Sequence, residues 1–523
     1  MSFRESSRRA VAVACALALA CTPALQSVAA AQIALPALGD SDSAAFTVGA
    51  EKKLGDEIMR EIRVDPDYID DPLLLEYLDS VWNPLVAASR KLGNITFDID
   101  ERFAWEPFLV RDPEVNAFAL PGGFVGVNLG LIAITGTRDE LASVLGHEMS
   151  HVTQRHIARS IAGDSRRSLV SLAAMVLGLL AAARSRSPDA ANAVITGSQA
   201  GIMQGQLNFS RDVEREADRV GFQVMTTAGF QPSGMATMFE KMDASMRLND
   251  YGGFPYLRTH PLTAERIGEA RARAGIATGA PRVSPLEHTI AEARARVLED
   301  PRVDSLRRWE NQDVEIVGSV TDKLLAISAS AQAASQLRDW ARADAGFARS
   351  LGLVRGSPAS SERAERAIVI LQAQSLLDRG DAVKAEATLR PYANDGSRPT
   401  VLLGAQIALA ESQTPTAQRA PLDAHIAELQ TWVAVHPNDA LAWTAIGQSW
   451  ARLGVPLRSL RAEAESRFAL GDLAGAADRL RAGQRLARNG GAIDFIDASV
   501  IDSRLRVVEA QRKQIEADQH STH

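Results

Sequence analysis

The sequence predicts a mainly α-helical protein with a small β-sheet, in which a domain carrying a metal site precedes an α-helical solenoid. Three observations carry this reading. Apolar residues recur at helical spacing over most of the chain. One short stretch alternates and leads through a Pro-Gly-Gly turn, as a small sheet would. One helix carries His-Glu-x-x-His, His147 to His151. Composition agrees: 46% hydrophobic and 23% charged residues suit a globular chain, and 5% aromatics beside abundant alanine favour helix over strand. A formal net charge of −7 gives no basic field for nucleic acid, and none is expected as a partner.

Taken in order, Arg4, Arg8 and Arg9 precede the apolar run Ala10–Ala20, and small residues end in Ser27-Val28-Ala29-Ala30-Ala31. This is the pattern of a secretory signal peptide over 1–31. Cys15 and Cys21 both fall inside it, so no cysteine nucleophile or thiolate metal site is expected in the mature chain. Leu17 sits one place too early for a good lipobox before Cys21, which makes lipidation the lesser reading. Residues 32–45 read as a linker, 46–275 as the metal-site domain, 276–312 as a proline-bearing transition, 313–515 as helical repeats and 516–523 as a flexible tail.

Within 46–275, Asp71 is expected to cap a helix that has Pro72 at its first position. Ile95, Phe97 and Ile99 alternate with polar residues, and Val125 to Val127 follow Pro121-Gly122-Gly123, so a short sheet is expected over 95–130. Asp139 to Ile161 reads as one helix with the stripe Leu141, Val144, Leu145 and Val152. On it, His147 and His151 are four residues apart and face one point, as two zinc ligands must. Glu148 lies at the edge of that face, placed to act as general base. Nine histidines in 523 residues make a chance match rare, about 0.01 occurrences per chain. For a third ligand, Glu214 and Asp218 share a helix face; Glu214 can coordinate, and Asp218 can hydrogen-bond a ligand histidine or take part in proton transfer. Glu216 points the other way, towards solvent or an arginine. His156, five residues past His151, faces away on a continuous helix, as a surface or core histidine.

H-E-x-x-H followed some sixty residues later by E-x-x-x-D, here within Glu214-Arg215-Glu216-Ala217-Asp218-Arg219, resembles the M48 family of zinc metallopeptidases. Asn116–Gly123, His151–His156, and Thr259-His260-Pro261-Leu262 with Arg266 resemble its envelope members, as does a signal peptide, peptidase and tetratricopeptide layout. The resemblance is close over about 45–275 and loose after 300. It implies a zincin-like fold with one zinc per chain, ligands His147, His151 and Glu214, base Glu148 and second acidic residue Asp218. It implies a periplasmic endopeptidase acting on misassembled or stalled outer-membrane proteins, with the barrel-assembly machinery as partner through the repeats. The other reading is a chaperone-like adaptor of that machinery whose peptidase is mostly latent. The C-terminal cysteines associated with such members are absent, so no disulfide regulation of the helical region is expected.

Three further features are read from residues. Asn116, Ala117 and Phe118 open a strand, to Leu120, that suits the addition of an extended substrate at a sheet edge, or serves as ordinary core. Leu169–Ala183 is apolar but too short to span a bilayer, and reads as half of a helical hairpin: a lid, a patch for peripheral membrane or partner contact, or a buried helix. His260, before Pro261, can reach the open metal position as a latch, or stabilise the oxyanion; packing beside Arg266 is the bland alternative. His288, in the transition, reads as a surface residue. After 313, Gly380-Asp381, Gly471-Asp472 and Pro437–Gly454 resemble degenerate tetratricopeptide units, with a plain helical domain as the alternative; either way, stacked helical pairs would form a concave partner-holding surface.

Overall fold

The computed structural model describes residues 46–162, 211–248, 255–276, 285–313, 318–413, 420–489 and 495–521. The expected signal peptide, linker and apolar run 169–183 lie outside the described residues.

Helix α1 (Val48–Arg63) starts at Thr47, whose hydroxyl accepts from Ala50 N. After β1 (Tyr68–Ile69) comes α2 (Pro72–Lys91), capped by Asp71 through Leu74 N, as the Asp-Asp-Pro triplet requires. The alternation at 95–99 does not make a strand. Phe97–Arg102 is a short helix, α3, with Ile99 in the core and Phe97 81% exposed. Asp98 and Asp100 favour a helix start, and Asp98 pairs with Arg102 one turn on. Strands β2 (Glu106–Val110), β3 (Ala117–Leu120) and β4 (Phe124–Asn128) follow. Among the described residues they form one sheet in the order β1-β2-β4-β3, with β2 and β4 parallel and β3 antiparallel to β4. Strand β3 is therefore an edge.

β4 runs straight into α4 (Leu129–Ile134), and then α5 (Arg138–Thr153), α6 (His156–Ala162), α7 (Arg211–Thr227), α8 (Ser233–Leu248), α9 (Pro255–Thr259) and α10 (Ala264–Ile276) complete this region. One core joins α2, the sheet, α5, α7 and α8 through Leu78, Trp82, Val125, Leu145, Val224 and Met238. The stretch read as a transition holds two helices, α11 (Leu286–Leu298) and α12 (Val303–Glu310). Helix α11 packs on α2 and α4 as well as on the helix that follows it. His288, expected at the surface, is buried there: its Nδ1 meets the Tyr77 hydroxyl and its Nε2 donates to the Thr135 carbonyl. Both partners lie far off in sequence, so nothing local announces the burial.

The chain continues as helices that pack on their neighbours in sequence: α13 (Val320–Gln336), α14 (Trp340–Arg355), α15 (Glu362–Asp378), α16 (Ala382–Leu389), α17 (Arg398–Glu411), α18 (Ala420–Val435), α19 (Ala440–Arg452), α20 (Pro456–Ala469), α21 (Leu473–Asn489) and α22 (Phe495–Ser521). The expected flexible tail instead continues α22 through Ser521. Gly380 and Gly471 take φ of 87° and 83°, and the aspartate after each accepts from a backbone N–H of the next helix. Arg338 does the same at φ 63°, with Asp339 accepting from Arg342 N. That turn escapes a search for Gly-Asp. Arg398 ties α17 to the first region, pairing with Asp70 as well as Asp439; Arg366 joins Glu76 to Asp395.

Candidate metal centre

Helix α5 is buried along nearly its whole length, polar residues included. It can be, because its start is satisfied from several sides. The Thr137 hydroxyl accepts from Glu140 N, and the Glu140 carboxylate accepts from Gly136 N and Lys241 Nζ. Helix α7 crosses it at two glycines: a Cβ on Gly221 would lie 2.9 Å from the carbonyl of Gly146 and from His147 N. This close approach lets the short carboxylate side chains of α7 reach the imidazoles of α5.

His147 Nε2 and His151 Nε2 lie 3.0 Å apart. Glu214 brings Oε2 to 3.5 Å from the first and Oε1 to 3.6 Å from the second. His260, at the end of α9, sets Nδ1 3.0 Å from Glu214 Oε1 and 3.3 Å from His147 Nε2. The ligating atoms of these four buried residues lie within 4.8 Å of one another and could hold a metal ion. Two imidazoles, a carboxylate and a third imidazole are donors of the kind zinc takes. Beside them, Glu148 Oε1 is buried and accepts no hydrogen bond, 3.6 Å from His260 Nε2. Its Oε2 accepts from Ala119 N on β3 at 3.1 Å. The donor set thus fits a dication with a general base next to it.

The expected residues are brought together unevenly. Asp218 does not reach the converging Nε2 atoms. Its Oδ1 lies 2.9 Å from His147 Nδ1, and Arg266 donates to both of its oxygens. Arg266 Nη1 also stands 2.9 Å from Glu214 Oε2. Glu216 pairs with an arginine, Arg159, as expected, but also with His156. His156 corrects the expectation that it faces away. Helix α5 ends at Thr153, Arg155 takes φ 51°, and α6 begins at His156, which is folded back so that its Nδ1 lies 2.8 Å from His151 Nδ1. Of the strand residues, Ala117 is fully buried, Asn116 precedes β3 and accepts from Asn128 N, and Phe118 packs edge-on against Phe108. The backbone edge at Ala119, not these three side chains, meets Glu148.

Electrostatics follow from these contacts. Burial opposes a proton on His147, yet Asp218 and Glu214 override it and push the imidazole up to about 10. Burial, with His147 and His260 alongside, drives His151 well below the ordinary imidazole range. Burial pushes Glu148 up. Burial works against charge on Glu214 and Asp218 too, but neighbouring histidines hold Glu214 well below the usual carboxylate range, and His147 and Arg266 hold Asp218 down. Sequence reasoning missed the Gly146–Gly221 crossing and Tyr256, which stacks on His260 with ring centres 4.7 Å apart. The paired glycines were visible as letters, but only their facing positions give them meaning.

Comparison with known proteins bears on this site. Residues 90–274 match the model of peptidase family M48, a zinc-dependent family, and this range contains every residue of the centre. The chain is 30% identical over 448 residues to the beta-barrel assembly-enhancing protease of Yersinia pestis, covering 84% of this chain and 85% of that protein. It is 37% identical over 243 residues to the Escherichia coli protein of the same name. It is 30% identical over 224 residues to the mitochondrial metalloendopeptidase OMA1 of Schizosaccharomyces pombe, covering 42% and 59%. The chain spans about half the length of the E. coli relative, 47%, and of a Vibrio cholerae relative, 48%.

Proposed function

The chain belongs to peptidase family M48, and from that premise we propose that it is a zinc-dependent endopeptidase of the periplasm. The observation that carries this is the buried convergence of His147, His151 and Glu214 beside a Glu148 oxygen with no hydrogen bond. Zinc would be held by those three residues, and when bound it supplies Lewis acidity, lowering the pKa of a water and polarising a carbonyl. Glu148, raised by burial, takes the proton of the attacking water and returns it to the leaving amine. Asp218, locked by Arg266, fixes the ring of His147 rather than touching substrate. An extended substrate adds to the outer edge of β3, where Ala119 already presents its N–H towards Glu148.

Misassembled or stalled outer-membrane proteins are the proposed substrates, and the barrel-assembly machinery the proposed partner of the helices after 313. The names of the Yersinia and E. coli relatives support this. No helix among the described residues is long and apolar enough to cross a membrane. Zinc content and casein cleavage of the full chain test the enzyme reading. Glu148→Gln should keep its zinc and lose about 10²–10⁴-fold in rate; cleavage at the parental rate would remove Glu148 as base. The adaptor reading draws on His260, which already sits among the donors. It would gain if Glu148→Gln kept barrel-assembly support with no proteolysis. A latch at His260 predicts that His260→Ala raises basal cleavage. A fall of about 10²–10³-fold with zinc retained would make it an oxyanion donor instead.

A further inference from the structure

Each histidine of the pair has a second ring nitrogen facing away from the convergence point, and α7 supplies a carboxylate for both. For His147 the link is direct: Nδ1, then Asp218, then Arg266. For His151 it passes through one more ring: Nδ1 to His156 Nδ1 at 2.8 Å, His156 Nε2 to Glu216 Oε2 at 3.2 Å, and Glu216 to Arg159 Nη2 at 2.9 Å. Asp218 and Glu216 are two residues apart on one helix, and each is held by an arginine from elsewhere in the fold.

We infer that His156 and Glu216 are positioning residues for His151, setting which of its nitrogens is free to bind metal. The argument is one of donors and acceptors. A neutral imidazole has one N–H and one lone pair. Glu216 is acceptor-only, so it selects the His156 tautomer with hydrogen on Nε2. That leaves His156 Nδ1 as an acceptor. His151 must then carry its hydrogen on Nδ1 to meet it, which leaves His151 Nε2 with the lone pair aimed at Glu214 and His147 Nε2. The reversal at Arg155 is what makes the link geometrically available: a continuous helix would turn His156 away from His151.

The inference rests on the metal-site reading, and the test separates the two. Zinc affinity of the full chain is measured by competition with a chromophoric chelator, and thermal midpoints of the metal-free proteins are compared. His156→Phe keeps a ring of similar size but cannot accept from His151; it should weaken zinc binding roughly 10–100-fold. His156→Asn is a poorer fit to the space but puts an acceptor oxygen near the place of Nδ1, and should recover part of the loss. Glu216→Gln, at a half-buried position, should fall between the parent and His156→Phe, with an unchanged metal-free midpoint. A purely structural role for His156 predicts the reverse order, phenylalanine better than asparagine. Parental affinity in His156→Phe, or no advantage of asparagine over phenylalanine, overturns the inference while leaving the metal site standing. Failure of the parent chain to bind zinc more tightly than His147→Ala overturns both.

Discussion

Helix α5 and the helices beyond 320 bury their residues to different ends. Along α5, Glu140, Ser143, His147, Glu148, Ser150 and His151 are all buried, each against a particular partner. In the later helices the packed clusters are aliphatic, as with Ala476, Ala477, Leu480, Ile501 and Leu505, and the polar residues buried among them are mostly serines such as Ser328 and Ser350, which bond each other. Burying a polar group is favourable only if its partner arrives with good geometry, whereas apolar contacts tolerate rearrangement so long as volume is kept. The first region should therefore be intolerant in function, and the second should lose stability by graded amounts.

Substitutions can break this contrast, and the largest expected effect comes first. His147→Ala should lose zinc and casein cleavage together, because two remaining protein ligands seldom hold a catalytic zinc; retained zinc would mean that the ion is held elsewhere. In the later helices, Leu480→Ala should cost about 2–5 kcal/mol by leaving a cavity. Denaturant unfolding measures that cost, while zinc content should stay at the parental level. A loss of zinc with it would show that the two regions unfold as one.

His288 tests a polar burial outside the metal centre. Burial lowers its pKa from the ordinary 6.5 to about 4. The unfolded chain thus takes up a proton that the folded chain refuses, and folding stability falls as pH drops from about 6.5 to 4. The two pKa values set a loss on the order of 3 kcal/mol. His288→Gln can still donate to Thr135 and accept from Tyr77, so the difference in stability between variant and parent should shift in the variant's favour across that window. A pH-independent difference would mean that the imidazole is not held neutral. The smallest effect is expected at the helix crossing. Gly221→Ala inserts a methyl group 2.9 Å from the backbone of Gly146 and His147, and should cost about 1–3 kcal/mol. Zinc affinity should drop with it, since Glu214 and Asp218 ride on the displaced helix.

Much of the centre was legible because its parts repeat at helical spacing: His147 to His151 and Glu214 to Asp218 each lie four residues apart on one helix. Asp71 and Pro72 marked the start of α2, and Pro-Gly-Gly the turn into β4, because caps and turns are local chemistry. What escaped depended on distant partners or on a local rule that lost. The alternation at Ile95, Phe97 and Ile99 was outweighed by first-turn carboxylates and an i,i+4 ion pair. The break after Thr153 uses an arginine in a conformation usually given to glycine, as does the turn at Arg338, so neither carries the expected letter. The burial of His288 depends on residues 153 and 211 positions away.

Among the described residues, the later helices touch the first region around the start of α2 and again at α1, and this has a mechanical meaning. Arg398 clamps α17 to Asp70 just before α2, and much further along the chain the Gly471 turn lies against α1, where a Cβ would come 2.6 Å from Arg60 Cγ. A pocket of about 360 Å³ separates Lys52 and Arg60 of α1 from Gln511 and Ile515 of α22. A beam fixed at one end swings; a beam fixed at two points bends, and its load appears at the supports. One of those supports is α1, and α1 in turn bears on the loop between β3 and β4, where a Cβ on Gly55 would lie 2.0 Å from Pro121 O. The outer helices thus meet the Arg60 side chain of α1, and α1 meets the backbone of the β3–β4 loop, which puts them two packing steps from the strand that borders Glu148.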